Sequence, residues 1–576
     1  MAQRGLLHRY VPALDWLPRY KAADLPGDAI AGGIVAVMLV PQGMAYAMLA
    51  GLPPQIGLYA SIVPILVYAL LGSSRALAVG PVAIASIMTA SALGSVAANG
   101  SADYLAAALV LAAANGAILL AMGVARLGVL VNFLSHPVIS GFTSAAAIVI
   151  ALSQLKHLLG IDLPREASFF ETLIHAIEQL GHAHLATTLV GLGAIALLLA
   201  SRQPLARVLT GIGVPKAIVD PATKTGPLLV VVLTILVVWG FGLDGHAGVA
   251  IVGIIPAGLP PIGLPSFDAA IWAELLPAAV LISLVGFLES VSVAKALASK
   301  RRQKIDANQE LVGLGAANLA ASVTGAYPVA GGFGRSVVNF TSGANTPLAS
   351  IITALLMALT VALLTPVFHY LPRTTLAAII IVAVFNLIDV KTFTNAWRYN
   401  KADAVSLAAT FVAVLAAGIE LGIVFGIALS LALYLWRTSR PHIAVVGRVG
   451  TSEHFRNIKR HPVKTCPHVF AARVDESLYF ANAGYLETFL LQAVADDKKI
   501  KHVVLICSAV NFIDASALET LETLTAELRD AGTTLHLAEV KGPVMDRLQR
   551  TAFLDHLAPG KVYLSTHDAM VDLKCV

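Results

Sequence analysis

The first 440 residues read as a succession of apolar runs separated by short polar breaks. A helix needs roughly 20 predominantly apolar residues to cross a bilayer. Runs near that length fall at 29–50, 54–71, 80–97, 104–124, 137–155, 184–200, 227–243, 275–298, 308–325, 334–345, 347–368, 374–389, 403–417 and 419–436. That gives about fourteen candidate spans. Two of them, 80–97 and 334–345, are short or rich in Gly and small polar residues and would make poor ordinary spans. Beyond residue 440 the pattern changes. RVDESLYFA (473–481) and VVLICS (503–508) predict strands. Residues 515–532 have helical periodicity closed by Gly532, 533–540 predict a strand, and 542–553 a helix with Pro543 in its first turn. The tail is therefore α/β.

Composition sharpens this division. The chain is 57% apolar and only 13% charged, too little polar surface for a soluble globule of 576 residues. A disordered chain and a disulfide-stapled secreted module are excluded as well. Roughly 31 of the 73 charged side chains lie in 441–576. The reading is a cytoplasmic N-terminal segment at 1–25, a transmembrane domain at 26–440 and a cytoplasmic soluble domain at 441–576. Cys466, Cys507 and Cys575 all lie in the tail, which suits a reducing cytoplasm with no disulfide framework. The tail shows no nucleotide-binding glycine loop and no cluster of metal ligands.

Lysine and arginine set the orientation. With the N-terminus inside, the cytoplasmic loops and the N-terminal segment hold about nineteen. Among them are Arg4, Arg9, Arg19, Lys21, Arg202, Lys216, Lys224 and the Lys300–Lys304 cluster. The opposite loops hold only Lys156, Arg165 and Arg373. Both ends are expected in the cytoplasm, with an even helix count. The Ala-rich composition suggests a bacterial inner membrane.

Two charges fall inside predicted spans: Glu289 in GFLESVSVAK and Arg335 in GGFGRSVVN. A charge at mid-bilayer costs about 2.5–3.5 kcal/mol on insertion scales, so such groups face a cavity or a partner. A structural role at a helix end or in a buried pair is the alternative for both. AVGPVAIAS (78–86) and PVAGGFGRS (328–336) each place a Pro or Gly cluster before a short apolar run. Helix breakers at membrane depth are tolerated where the backbone lines a cavity, and two matching interrupted segments point to a transporter site. Gln42 precedes Pro81 by 39 residues and Glu289 precedes Gly334 by 45, a spacing that agrees with an inverted duplication. Gly418, Gly422 and Gly426 suggest close helix packing. Glu420 is expected at a solvent-exposed outer turn. No nucleophile–base pair stands out among the 16 histidines, so no enzyme is expected.

Several long motifs then identify a family resemblance that covers nearly the whole chain. PQGMAYAMLAGLPPQIGLYAS (41–61), GSSRALAVGPVAIAS (72–86), FLESVSVAKALA (287–298), NQELVGLGAANL (308–319) and AYPVAGGFGRSVVN (326–339) resemble the SulP anion transporters, the sulfate permeases that include prestin and pendrin. The tail, with RPHIAVVGRVG (440–450), SLYFANA (477–483) and NFIDASALE (511–519), resembles a STAS domain. The resemblance implies a polytopic α-helical membrane protein of fourteen helices in a 7+7 inverted repeat, split into core and gate domains and usually dimeric. It implies an anion site between the N-termini of the third and tenth helices, here Pro81, Val82 and Ala83 with Phe333, Gly334, Arg335 and Ser336. Gln42 and Tyr46 on the first helix would face it, and Glu289 matches the acidic position of the eighth. Gly334 stands where many sulfate-type relatives carry serine, which removes one hydroxyl near the anion. In the tail, Ser516 follows Asp514 by two, where switching STAS domains carry a phosphorylated serine; family transporters often have a hydroxyl residue at the middle position, here Ala515. Helix capping by Asp514 or Ser516 explains the pair equally.

Charge counting completes the expectation. Two helix N-termini at roughly +0.5 each, with Arg335, give about +2, which balances a dianion such as sulfate when Glu289 is neutral. An ionised Glu289 at an assumed distance of about 10 Å would repel the dianion by about 3 kcal/mol. Dianion binding and Glu289 protonation would then favour each other, giving sulfate:proton symport by alternating access. Sodium coupling is the rival, with Ser290 and Ser292 nearby but no oxygen on Val293. Bicarbonate, a dicarboxylate or chloride would fit the same cavity, and a membrane anion sensor signalling through the tail is the alternative of another class. No cofactor, metal ligand or nucleic-acid partner is expected; lipid, a second copy of the chain and an unidentified cytoplasmic protein on the STAS domain are.

Overall fold

The computed structural model describes residues 11–98, 101–133, 135–163, 168–215, 219 and 222–576. Arg4, Arg9, Arg165 and Lys216 of the topology argument lie outside the described residues. The chain divides into two compact units, Met1–Ser430 and Leu431–Val576.

Every apolar run of the first unit is helical. The helices are α1 (Leu25–Leu49), α2 (Pro54–Leu71), α3 (Ala83–Gly94), α4 (Ala102–Val124), α5 (His136–Leu159), α6 (Leu185–Ala200) and α7 (Gly226–Phe241) in the first half. The second half has α8 (Ala269–Lys300), α9 (Ala307–Val323), α10 (Phe333–Thr341), α11 (Leu348–Phe368), α12 (Arg373–Val384), α13 (Lys401–Ala417) and α14 (Ile419–Ser439). Polar residues at the starts of the runs cap them. Ser101 accepts from Tyr104 N, Asp268 from Ala270 N, Asp306 from Asn308 N and Asn400 from Ala402 N. The two runs that made poor spans form short helices, α3 of 12 residues and α10 of 9. Each follows a two-residue strand, β1 (Val79–Gly80) or β2 (Ala330–Gly331).

The packing repeats itself between halves. α4 packs on α9 and α8, as α11 packs on α2 and α1. α1 touches α10 as α8 touches α3, and α5 meets α13 as α12 meets α6. Each of these contacts has its mate when helix n is exchanged for helix n+7, the signature of a 7+7 repeat. The first group is α1–α4 with α8–α11 and the second α5–α7 with α12–α14; α1 meets α7 and α12 where the groups adjoin. Within the first group α4 and α9 approach backbone to backbone: a Cβ on Gly116 would lie 2.8 Å from Gly315 O. Gly418 is not a packing glycine but the turn between α13 and α14, at φ +87, whereas Gly422 and Gly426 pack on Val414 and Thr410. Glu420 departs from its expected exposure, because its Oε1 is buried without a hydrogen-bond partner.

Buried polar networks fix the first group. The Glu310 carboxylate, fully buried on α9, accepts from Tyr68 OH (2.7 Å), Ser73 N (2.8 Å), Ser73 Oγ (2.7 Å) and Ser74 N (3.0 Å). It thereby holds the chain leaving α2 on its way to β1. Asn318 on α9 accepts from Asn115 Nδ2 (3.0 Å) and Val329 N (2.9 Å), and donates to Val329 O (2.9 Å), which positions the approach to β2.

The second unit is a six-stranded sheet ordered β4-β3-β5-β6-β7-β8. The strands are β3 (Ile443–Arg448), β4 (Phe455–Asn457), β5 (Val469–Val474), β6 (His502–Ile506), β7 (Thr534–Ala538) and β8 (Val562–Tyr563). β5 to β8 run parallel, and β3 is antiparallel to both β4 and β5. The helices are α15 (Ala483–Asp496), α16 (Ala515–Asp530), α17 (Gly542–Leu548), α18 (Phe553–Leu557) and α19 (Thr566–Asp572). Parallel strands in such a unit are covered on both faces, and apolar clusters lie on each side of this sheet. The strand expected at 473–481 is displaced to Val469–Val474. The chain leaves the sheet at Asp475, whose carboxylate is drawn to Arg473 (2.5 Å) and His442 (2.8 Å). The expectation of a tail without disulfide or ligand cluster is overturned too: Cys466 and Cys575 are bonded, with His468 beside them. Their separation of 109 residues leaves no spacing motif to read.

Glu310→Ala would remove the acceptor of four donors and should destabilise the detergent-solubilised protein by about 3 kcal/mol. Glu310→Gln, which keeps the shape and two acceptor lone pairs, should lose less. Thermal denaturation of the two variants checks the order.

Candidate functional site

β1 and β2 pair antiparallel, Val79 with Gly331 and Gly80 with Ala330. This ribbon sets the start of both short helices. Gly80 holds φ +150, a conformation that disfavours side chains. Two or three residues on, Pro81–Val82 lead into α3 and Gly332 into α10. The helices therefore begin from one ribbon with their N-termini converging. The first-turn N–H groups of a helix have no intrahelical partner, and each N-terminus carries roughly +0.5 charge.

The ribbon is pinned from several sides. Ser336 Oγ accepts from Ala78 N (2.9 Å) and donates to Gly332 O (2.7 Å), and Asn339 Nδ2 donates to Ala76 O (3.1 Å). Ser290 Oγ on α8 accepts from Gly331 N (2.8 Å) and donates to Gly286 O (2.5 Å). Ser86 Oγ on α3 lies 3.0 Å from Tyr327 OH.

Arg335 stands in the first turn of α10 and is 3% exposed. Its Nη1 reaches Gln42 Oε1 at 3.5 Å, while Nε and Nη2 are buried without partners among the described residues. The guanidinium folds back over the helix start. A Cβ on Gly332 would meet Nη2 at 2.8 Å and Cζ at 2.9 Å, so a side chain there would displace the guanidinium. Glu289 on α8 is a second incompletely satisfied charge, with Oε2 buried and unpartnered. Buried charges are as a rule paired or ligated, and this guanidinium keeps two nitrogens idle among the described residues.

These groups line one cavity of about 300 Å³, with room for about ten waters. Gln42, Tyr46, Val82, Ala83, Glu289, Phe333, Gly334 and Arg335 all contribute to its wall. Pro81 and Ser336 do not. Pro81 lies in the link between β1 and α3, and the Ser336 hydroxyl is spent on backbone. Sequence reasoning missed two basic residues of the same wall, Arg202 and Lys224, together with Asn386. Arg202 Nη1 donates to Asn386 Oδ1 (3.3 Å) and Lys224 Nζ to Ser342 Oγ (3.1 Å). In sequence they carry only the signal of a basic loop, which the orientation argument already absorbed. In the second unit, Asp514 is the cap of α16, accepting from Ala517 N (2.8 Å) and Phe480 N (2.9 Å), and Ser516 is exposed in the first turn.

Residues 25–410 match the sulfate permease family and residues 461–569 the STAS domain. The chain is 38% identical to the chloroplastic sulfate transporter 4.1 of Arabidopsis thaliana, over 97% of this chain and 82% of that one. It is 32% identical to the high affinity sulfate transporter 2 of Stylosanthes hamata, over 97% and 85%. Among solved structures, the murine anion transporter Slc26a9 in its inward-facing state superposes with TM-score 0.91 at 23% identity, covering 100% of this chain and 96% of that one. The transmembrane domain of the cyanobacterial bicarbonate transporter BicA superposes with TM-score 0.58 at 24% identity, covering 72% and 98%. The last two likenesses concern the fold.

A Cβ on Gly334 would meet nothing within 4 Å, and the residue lines the cavity. Gly334→Ser should therefore fold normally and add a hydroxyl to the wall. One further hydrogen bond of about 1 kcal/mol corresponds to about fivefold tighter oxyanion binding. Calorimetric titration of the purified protein with sulfate measures it; unchanged affinity would remove Gly334 from the anion's surroundings.

Proposed function

The chain belongs to the sulfate permease family, and on that footing we propose that it is a secondary transporter of a small oxyanion, sulfate first, moved together with a proton. The observation that carries the reading is the buried Arg335 guanidinium, two of its nitrogens idle, beside two converging helix starts. The two helix ends and the guanidinium supply about +2 to a dianion. Glu289 shares the cavity, and its negative charge would cancel part of that field. A proton on Glu289 restores the balance, so the dianion and the proton travel together. Tyr46 and Gln42 complete the anion's surroundings from α1.

Sodium is the weaker partner for Glu289. Ser290 has its oxygen engaged by Gly331 N and Gly286 O, and Ser292 is exposed away from the buried face of α8. Neither offers a coordinating shell. Alternating access follows from the two helix groups, with α1–α4 and α8–α11 carrying the site past α5–α7 and α12–α14. The Lys224–Ser342 hydrogen bond joins residues flanking α7 and α10, one from each group, and has to break in that movement. The positive-inside pattern supports a cytoplasmic N-terminus and STAS domain in the inner membrane, and the family supports a homodimer. A cytoplasmic protein partner for the STAS domain that reads Ser516 phosphorylation belongs to the same reading as a regulatory layer.

Proteoliposomes loaded at higher pH than their surroundings test the proposal. Radiolabelled sulfate should accumulate, in sodium-free buffer, to a level set by the pH gradient. Arg335→Ala, losing about 3 kcal/mol of charge-assisted hydrogen bonding, should lower uptake on the order of 100-fold. Glu289→Gln should retain sulfate exchange but lose its stimulation by the gradient. Full flux in the arginine variant would end the reading of the site, and pH-driven uptake in the glutamine variant would end the proton coupling. Binding without any flux would turn the protein into a sensor.

A further inference from the structure

Three side chains from distant parts of the second unit meet at the start of β5. Cys466 lies in the turn bridged to Val469, His468 directly precedes the strand, and Cys575 follows α19. The two sulfurs form a disulfide with Cα atoms 5.6 Å apart. His468 lies against both of them: its Nε2 is 3.7 Å from Cys466 Sγ and 3.5 Å from Cys575 Sγ. All three residues are half-buried, and their ligand atoms fall within 4.8 Å of one another.

These separations have a chemical meaning. Tetrahedral zinc with Zn–S near 2.3 Å and Zn–N near 2.0 Å places a sulfur and a nitrogen ligand about 3.5 Å apart, and two sulfurs about 3.7 Å apart. Both N···S separations at His468 already have that spacing. Only the sulfur–sulfur separation has to change, from a covalent bond to a non-bonded contact, and rotation about the two cysteine side chains provides it. Nε2 stands 3.1 Å from the Leu573 carbonyl oxygen, to which it donates as N–H. With the ring in its other tautomer the Nε2 lone pair is available to a metal instead.

We propose that Cys466, His468 and Cys575 form a zinc site that the thiol–disulfide state of the two cysteines opens and closes. In the oxidised form the S–S bond occupies the place of the metal. A dithiol reductant breaks that bond: two electrons and two protons pass to Cys466 and Cys575, and the reductant leaves as its own disulfide. Zn2+ then binds the two sulfurs and His468 Nε2, displacing both thiol protons to solvent and leaving a fourth position for water. Two thiolates and an imidazole select zinc over the hard cations calcium and magnesium. In both forms the segment after α19 is fastened to the sheet beside β5; reduction without zinc releases it. Cys507 takes no part, because it is buried within the sheet and burial pushes its thiol up to about 12.

The test uses the full-length protein in detergent. After reduction with a dithiol and its removal, the protein is challenged with Zn2+ against a chromophoric chelator. About one zinc per chain should be retained, and none after oxidation with diamide. Cobalt added to the reduced wild type should give a thiolate-to-metal charge-transfer band that oxidation abolishes, a readout that needs no variant to fold. Cys466→Ser and Cys575→Ser should each lose the bound zinc, His468→Ala should weaken it at least tenfold, and Cys507→Ser should leave it unchanged. A reduced wild-type protein that retains no zinc, a cobalt spectrum without the thiolate band, or full zinc retention in the Cys466→Ser/Cys575→Ser double variant overturns the proposal.

Discussion

The pairing of Val79–Gly80 with Ala330–Gly331 is the constraint on which the membrane unit depends. Extended backbone inside a bilayer is costly because its N–H and C=O groups have no water to bond with. Here the two extended segments answer one another, and Asn318, Ser290, Asn339 and Ser336 take up neighbouring groups. Since the ribbon occupies part of each crossing, the helices that follow are short and begin in the interior of the unit. Two helix starts are thereby brought to one place, which ordinary full-length spans would not allow.

The electrostatics of the site follow from that arrangement. Arg335 lies over the start of its own helix because Gly332 has no side chain, and its guanidinium comes close to the ribbon at Gly80 as well. The cation adds to the positive ends of two helices, and among the described residues only Gln42 Oε1 accepts from it. Glu289 is near enough to share the cavity, yet its Oε2 and two of the arginine's nitrogens stay unmatched. A mutual, fully satisfied ion pair would have been a structural device. The unsatisfied arrangement leaves two charges of opposite sign in the wall of one cavity, and the proposed function rests on that pair.

The second unit obeys different rules. Its sheet is held by apolar layers on both faces, and its polar interest lies at the edges and ends. Asp514 does the work of a helix cap, which accounts for its place in the chain without any switch. The disulfide-bonded Cys466 and Cys575 pack against the smaller of these apolar clusters, with His468 beside them, and so bring three metal-ligating residue types to the edge of the core.

Hydrophobic periodicity determined the membrane character, the number of apolar helices and the change to α/β after residue 440, because span length and side-chain period are local properties of the chain. The motif resemblance added the repeat and the residues around Pro81 and Arg335. What it could not separate was neighbours on one helix: Ser336, one residue from Arg335, turns its hydroxyl into backbone support. β5 ends at Val474, earlier than β-propensity suggested, where Asp475 pairs with Arg473 of the strand and with His442. Arg202 and Lys224 joined the cavity wall, and Cys466 met Cys575, only through tertiary folding. Residues so far apart in sequence acquire a relation when packing closes the loops between them, and no local pattern encodes the distance at which they come to rest.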